Sequence, residues 1–180
     1  MLLTIAIAVV IVLLIAALLI FASTRPHAFR VERSTTITAP PERVFALVDD
    51  FHNWASWSPW EHLDPAMKKT YSGAPSGPGA VYEWQGNSKA GKGRMEITSS
   101  MVPSFVNIKL DFLKPFESHN TTSFSVARAA AGTTHVSWTM QGACPFIMKV
   151  MGIFVSMDKM IGKDFDRGLA NLKSAAEAQP

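Results

Sequence analysis

None of the first 24 residues carries a charged side chain, and from Leu2 to Ala22 every residue but Thr4 is apolar. At about 1.5 Å of rise per helical residue this run reaches roughly 31 Å, which matches the ~30 Å of hydrocarbon that a spanning helix must cover. A cleaved secretory signal is the competing reading. It wants a basic leader, an apolar stretch of about 7 to 15 residues and a small-residue cleavage site. Here no Lys or Arg precedes the run, the run is too long, and Ile20 to Ser23 lacks an A-x-A pattern. The sequence predicts an uncleaved anchor over residues 1–24, in contact with a lipid bilayer through residues 2–22.

All 17 Lys and Arg and all 14 Asp and Glu of the 180-residue chain lie from Arg25 onward, a length that fits one domain with one core. The net charge of +3 is mild and scattered, without the clustered basic face that nucleic acid would require. Arg25, Arg30 and Arg33 follow the apolar run while only the α-amino group precedes it, so the positive-inside tendency places the domain in the cytoplasm. The single Cys144 excludes an intrachain disulfide framework. A short linker, residues 25–28, leaves little slack: Arg25 to Phe29 span at most roughly 17 Å when extended, which holds the domain close to the headgroups.

The domain is expected over residues 29–176, with a tail at 177–180. Phe29 to Thr38 alternates and is rich in β-branched residues, as a half-buried strand should be. Pro40-Pro41 stops it, and Val44, Phe45 and Val48 recur at helical spacing, so Glu42 to Asp49 reads as a short amphipathic helix. Trp54, Trp57 and Trp60 follow at a spacing of three. Pro59 limits a second short helix to about Phe51 through Trp57, so Trp54 and Trp57 share a face that Trp60 leaves. The loop Ser72 to Gly79 then precedes a strand Ala80 to Gln85, and Asn87 to Gly93 joins it to Arg94 to Ser100. Val102 to Pro115, Thr121 to Ala127 and Thr133 to Gly142 each alternate, which implies an antiparallel meander. From Phe146 to about Ala176 no proline intervenes, and Val150, Phe154, Met157, Ile161, Phe165, Leu169 and Leu172 recur every three to four residues. One long helix is predicted there.

This order of elements, the P-P-E-R-V-F opening of the first helix, the W-S-P-W segment and the ending IGKDFDRGLANLK (Ile161 to Lys173) resemble the START-like, helix-grip superfamily also called SRPBCC. Within it, the chain is similar to the group labelled polyketide cyclase/dehydrase and lipid transport. The resemblance covers roughly Phe29 to Lys173. It implies an α+β fold in which a seven-stranded antiparallel sheet curls around the long C-terminal helix, two short helices close one end, and a deep apolar cavity lies between. Members use that cavity for lipids, sterols, quinones, aromatic polyketides or plant hormones, and few share a catalytic apparatus. Fold alone therefore leaves function open.

Tyr82, Trp84, Met95, Ile97, Ile108, Leu110, Phe112, Phe124, Trp138 and Met140 fall on one face if the alternation holds. Opposite them the helix segment would bring Phe146, Met148, Met151, Phe154, Met157 and Met160, and methionine suits surfaces that adapt to variable apolar ligands. For each residue alone, ordinary core packing is the simpler reading; for the set, an apolar cavity is. The ligand-binding set is expected to comprise Trp54, Trp57, Trp60, Tyr82, Trp84, Met95, Ile108, Phe112, Phe124, Trp138, Met140, Met151 and Phe154, with Trp60 as a gate.

Catalytic motifs are absent from the sequence: there is no G-x-S-x-G, H-E-x-x-H or C-x-x-C. Glu96, His135 and Tyr82 are the acid–base candidates, although charges on alternating strands more often form the solvated face. His52, Glu61, His62 and Asp64 are potential metal ligands whose spacing matches no zinc pattern, and neither metal nor cofactor is expected. Asn120-Thr121-Thr122 matches a glycosylation sequon, relevant only in a secretory lumen. The sequence thus points to a membrane-anchored binder of a lipid- or quinone-like molecule. A cyclase or dehydratase, and a regulatory partner of a membrane protein, are the alternatives.

Overall fold

The computed structural model of the chain describes residues 2–130, 132–153 and 156–178. The apolar run forms α1 (Leu2–Ser23), and nearly all of it is exposed. By length and composition it can cross a membrane; a buried core helix would instead be covered by the rest of the chain.

Seven strands follow: β1 (Ala28–Ile37), β2 (Lys68–Gly73), β3 (Ala80–Gln85), β4 (Lys92–Met101), β5 (Phe105–Lys114), β6 (Ser118–Arg128) and β7 (Thr134–Ala143). They make one antiparallel sheet in the order β1-β7-β6-β5-β4-β3-β2. Five consecutive hairpins account for β2 to β7, and only β1 returns across the chain to pair with β7. Between β1 and β2 lie α2 (Pro41–Asp49) and two 3-10 helices, Phe51–Ser56 and Pro59–His62. Pro41 and Pro59 occupy first turns, where a missing N–H is harmless. The Asp50 side chain caps the first 3-10 helix by accepting from the His52 N–H at 2.8 Å.

The fold is α+β with a long C-terminal helix, but the helix expected from Phe146 to about Ala176 is two. A short α3 (Phe146–Met151) ends at Gly152, whose N–H donates back to Met148, and α4 (Met157–Glu177) starts afresh at Ser156. The Ser156 hydroxyl accepts from the Lys159 N–H, and glycine inside a helix costs about 1 kcal/mol relative to alanine. An apolar period that runs unbroken through such a stop carries no sign of it. Phe154 lies outside the described residues. The strand β2 is the second difference: its sequence, KKTYSG, has no apolar alternation, as suits a sheet edge. It closes at Gly73 (φ 75°), where a Cβ would stand 2.1 Å from the Gly79 carbonyl oxygen.

The sheet's concave face packs on α4 and on the cap made by α2 and the 3-10 helices. At the centre is Trp138 of β7. Its ring stacks on Phe165 of α4 (4.1 Å between centroids, 10° between planes) and on Phe124 of β6 (4.8 Å), and meets the edges of Trp57 and Trp60. Gly168 lets α4 come this close, since a Cβ there would lie 2.7 Å from Trp138 Cζ3. On the outside, Arg33 of β1 forms a two-pronged ion pair with Asp158 and reaches Asp166, tying the edge strand to α4.

Candidate functional site

A cavity of about 340 Å3 lies between the sheet, α4 and the cap. The strands turn alternate side chains into it: Tyr82 and Trp84 from β3, Met95 from β4, Leu110 and Phe112 from β5, Trp138 and Met140 from β7. Trp54 and Trp60 close it from the cap, and Met148, Met157, Ile161 and Phe165 line it from the helices. Trp84 lies flat across Gly93 of the neighbouring strand, where a Cβ would meet its ring at 2.3 Å, and it donates through Nε1 to the Ala90 carbonyl. Glycine at position 93 thus gives this ring its place in the wall.

Of the ligand-binding set expected from sequence, Trp54, Trp60, Tyr82, Trp84, Met95, Phe112, Trp138 and Met140 line this cavity. Ile108 and Phe124 of the concave face and Trp57 of the cap are instead sealed in the core, with Trp57 donating to the Leu47 carbonyl at 2.9 Å. Met151 points to solvent at the end of α3, as do Phe146 and Met160. Trp60 is half-buried and sets its edge against Trp138 and Phe165.

The polar groups of the wall are few. Thr122 is satisfied: its hydroxyl donates to the Thr139 carbonyl and accepts from Trp138 Nε1. Asn120, the sequon asparagine, is a buried strand residue on the cavity wall rather than an exposed loop residue. Glu61 is the feature that sequence reasoning placed elsewhere. Set by the Pro59–His62 turn, its carboxylate is almost wholly buried, accepts from the Tyr82 hydroxyl at 2.7 Å and pairs with the Lys69 ammonium. Among the described residues no cluster of three His, Cys, Asp or Glu converges as metal ligands would; nothing in the spacing of Glu61 from His52, His62 and Asp64 distinguishes it as the buried member.

Glu96 and His135, by contrast, sit on the convex side. Glu96 pairs with Arg94 at 2.7 Å, and His135 is exposed beside Ser137. Tyr82 is therefore the one acid–base candidate of the three that reaches the cavity. Burial, reinforced by the hydrogen bond to Glu61, pushes its phenol well above the usual value, and burial next to Glu61 and Asp50 raises Tyr71 as well. A phenol whose pKa is higher folded than unfolded contributes stability that is complete below the unfolded value of about 10 and is lost as pH rises beyond it. Tyr71 and Tyr82 are the only tyrosines. Ultraviolet titration of the folded protein is expected to show less phenolate than two free tyrosines would give at the same pH, with Tyr82 the later of the two to ionise and alkaline unfolding releasing it.

The sequence profile of the family described as polyketide cyclase / dehydrase and lipid transport matches residues 28–177. The chain belongs to this family. The structural relatives of this family member share its helix-grip fold at low identity. One is a protein from Chromobacterium violaceum, 16% identical over 86% of this chain and 100% of its own, with a TM-score of 0.56. Another, from Mesorhizobium loti, is 16% identical over 84% of this chain and 99% of its own, with a TM-score of 0.58. The di-domain ARO/CYC BexL of the BE-7585A biosynthetic pathway is 19% identical over 89% of this chain, with a TM-score of 0.60; the match spans about half, 53%, of that protein. No curated protein sequence matches the chain.

Proposed function

We propose that this family member is a membrane-anchored binding protein for a hydrophobic small molecule, lipid- or quinone-like, held between the sheet and the C-terminal helix. The observation that carries the reading is the cavity: about 340 Å3, walled mainly by aromatic and sulfur-bearing side chains, with Glu61, Tyr82 and Asn120 among the polar groups of its wall. Volume and lining are those of a site for a small apolar ligand with one polar end. The anchor reading draws on α1, and the cytoplasmic placement on the arginines that follow it. A domain tethered this closely meets membrane-dissolved ligands at high effective concentration.

All five tryptophans lie in the domain, three of them besides Trp138 on the cavity wall. A brominated apolar compound that enters the cavity is expected to quench their fluorescence saturably. Filling the cavity by Met95→Phe with Leu110→Phe should weaken that binding at least about tenfold, equivalent to about 1.4 kcal/mol. Overpacking costs roughly 1–3 kcal/mol of stability, so a denaturation curve accompanies the variant. Quenching that is linear in concentration, and the same in both proteins, would count against a binding cavity.

The cyclase or dehydratase alternative draws support from one feature, the Tyr82–Glu61 pair at the cavity wall. There a substrate hydroxyl would donate to the Tyr82 oxygen, and as that proton moves onto Tyr82 the phenol's own proton would pass along its hydrogen bond to the Glu61 carboxylate.

A further inference from the structure

The rows of the sheet show which end of the cavity faces the anchor. At β1's first residue, Ala28 pairs with Ala143; at the same end of the sheet Phe112 pairs with Ser118, Lys92 with Lys114 and Lys68 with Gln85. Thr24 to His27 connect this end directly to α1. The His27 carbonyl accepts from the Cys144 N–H at 2.7 Å, the buried Lys149 ammonium of α3 lies 3.1 Å from His27 Nδ1, and α3 packs beside α1. The end of α1 and this end of the sheet are thus fastened together.

This is also where the cavity opens. Its wall residues under the cap and at mid-sheet, Trp54, Ser58 and Trp138, are buried, whereas Leu63 after the second 3-10 helix, Lys89 in the β3–β4 turn and Ala143 at the end of β7 are exposed. Around that mouth stand two apolar prominences. The β5–β6 turn presents Phe116, 83% exposed, beside Leu113; α3 presents Phe146 and Ile147, the latter 65% exposed. Lys68, Lys89, Lys92 and Lys114 stand at the same end, on β2, the β3–β4 turn, β4 and β5, against Asp64 at the β3–β4 turn and Glu117 in the β5–β6 turn. Apolar tips flanked by lysines, on the face that carries the anchor, have the composition of an interfacial membrane contact.

We infer that the mouth of the cavity docks onto the anionic leaflet of the membrane that holds α1, with Phe116 and Ile147 in the interface and the lysine rim over the headgroups, so that ligand passes between leaflet and cavity without crossing water. This rests on the anchor reading of α1, and the test separates the two. Spin labels are placed one at a time in the full-length chain on a Cys144→Ser background, at Glu117→Cys and Ile147→Cys near the mouth, at Val102→Cys in the turn at the opposite end, and at Leu13→Cys in α1. Each protein is reconstituted in nanodiscs of phosphatidylcholine with or without phosphatidylglycerol, and its accessibility to oxygen and to a nickel chelate is measured.

Expected is a bilayer signature at Leu13 in both lipids, an interfacial one at positions 117 and 147 that strengthens with phosphatidylglycerol, and an aqueous one at 102. Changing Lys68 or Lys92 to Gln should reduce the docked-to-undocked ratio on anionic discs about fivefold per charge removed. Labels at 117 and 147 as aqueous as that at 102, with Leu13 in the bilayer, would overturn the docking and leave the anchor standing. An aqueous Leu13 would overturn the anchor, and docking indifferent to phosphatidylglycerol would overturn the role of the lysine rim.

Discussion

Replacing Trp138 by alanine is expected to lower the unfolding free energy by about 3–5 kcal/mol, near the top of the range for a single core substitution. The indole is the shared neighbour of Phe165, Phe124, Trp57 and Trp60, so its loss removes contacts from α4, β6, the residue that caps the first 3-10 helix and the second 3-10 helix together. It also merges the vacated space with the cavity, so the surroundings collapse poorly onto the hole. Trp138→Phe separates the two contributions. It keeps the stack on Phe165 and gives up the Nε1 hydrogen bond to Thr122, and about 1 kcal/mol is the expected cost of that bond. Urea unfolding of the three proteins reads the difference; an alanine variant within about 1 kcal/mol of wild type would show that the ring cluster around Trp138 does not hold α4 on the sheet.

The second large effect is expected at Lys69. Its ammonium is the cationic partner of the buried Glu61 carboxylate, which otherwise keeps only the Tyr82 hydroxyl. Lys69→Met leaves that charge uncompensated, at a cost of about 3 kcal/mol, the lower end of the range for a broken buried pair because Lys69 is itself partly exposed. Removing both charges, as Lys69→Met with Glu61→Leu, should restore most of the loss, since an apolar replacement of a buried pair is often neutral. The double-mutant cycle isolates the pair. If the double variant is as unstable as the sum of the singles, the two groups act independently and the pairing is not what keeps Glu61 at the cavity wall.

How far these features could be read from the sequence varies by element. The strand Ala80–Gln85 was legible to the residue because its apolar and polar side chains alternate between a packed face and a wet one. Lys68–Gly73 was not, because an edge strand with lysines on it has no such contrast. Periodicity likewise tells which face of a strand a residue is on, but not how deep beneath the cap it lies. It puts Phe124 and Trp138 on one face, yet the cavity reaches Trp138 and stops short of Phe124.

The helix interruption lies between Gly152 and the Ser156 cap, two local residues that an apolar period running unbroken across them conceals. Glu61 was hardest of all. In sequence it is one acidic residue between a tryptophan and a histidine. Its burial follows from the Pro59–His62 turn meeting β2 and β3, elements that are distant from one another until the sheet forms.

The space between sheet and helix is, in the proposed function, a ligand site rather than a packing defect. The most direct test purifies the full-length protein and the Met95→Phe with Leu110→Phe variant side by side from the same membranes and identifies the organic-extractable compounds in each by mass spectrometry. Bulk membrane lipid accompanies α1 equally in both. A discrete apolar compound, with a polar group at one end, is expected to be enriched in wild type and depleted from the filled variant. Indistinguishable extracts, from two proteins that are both folded, would contradict it.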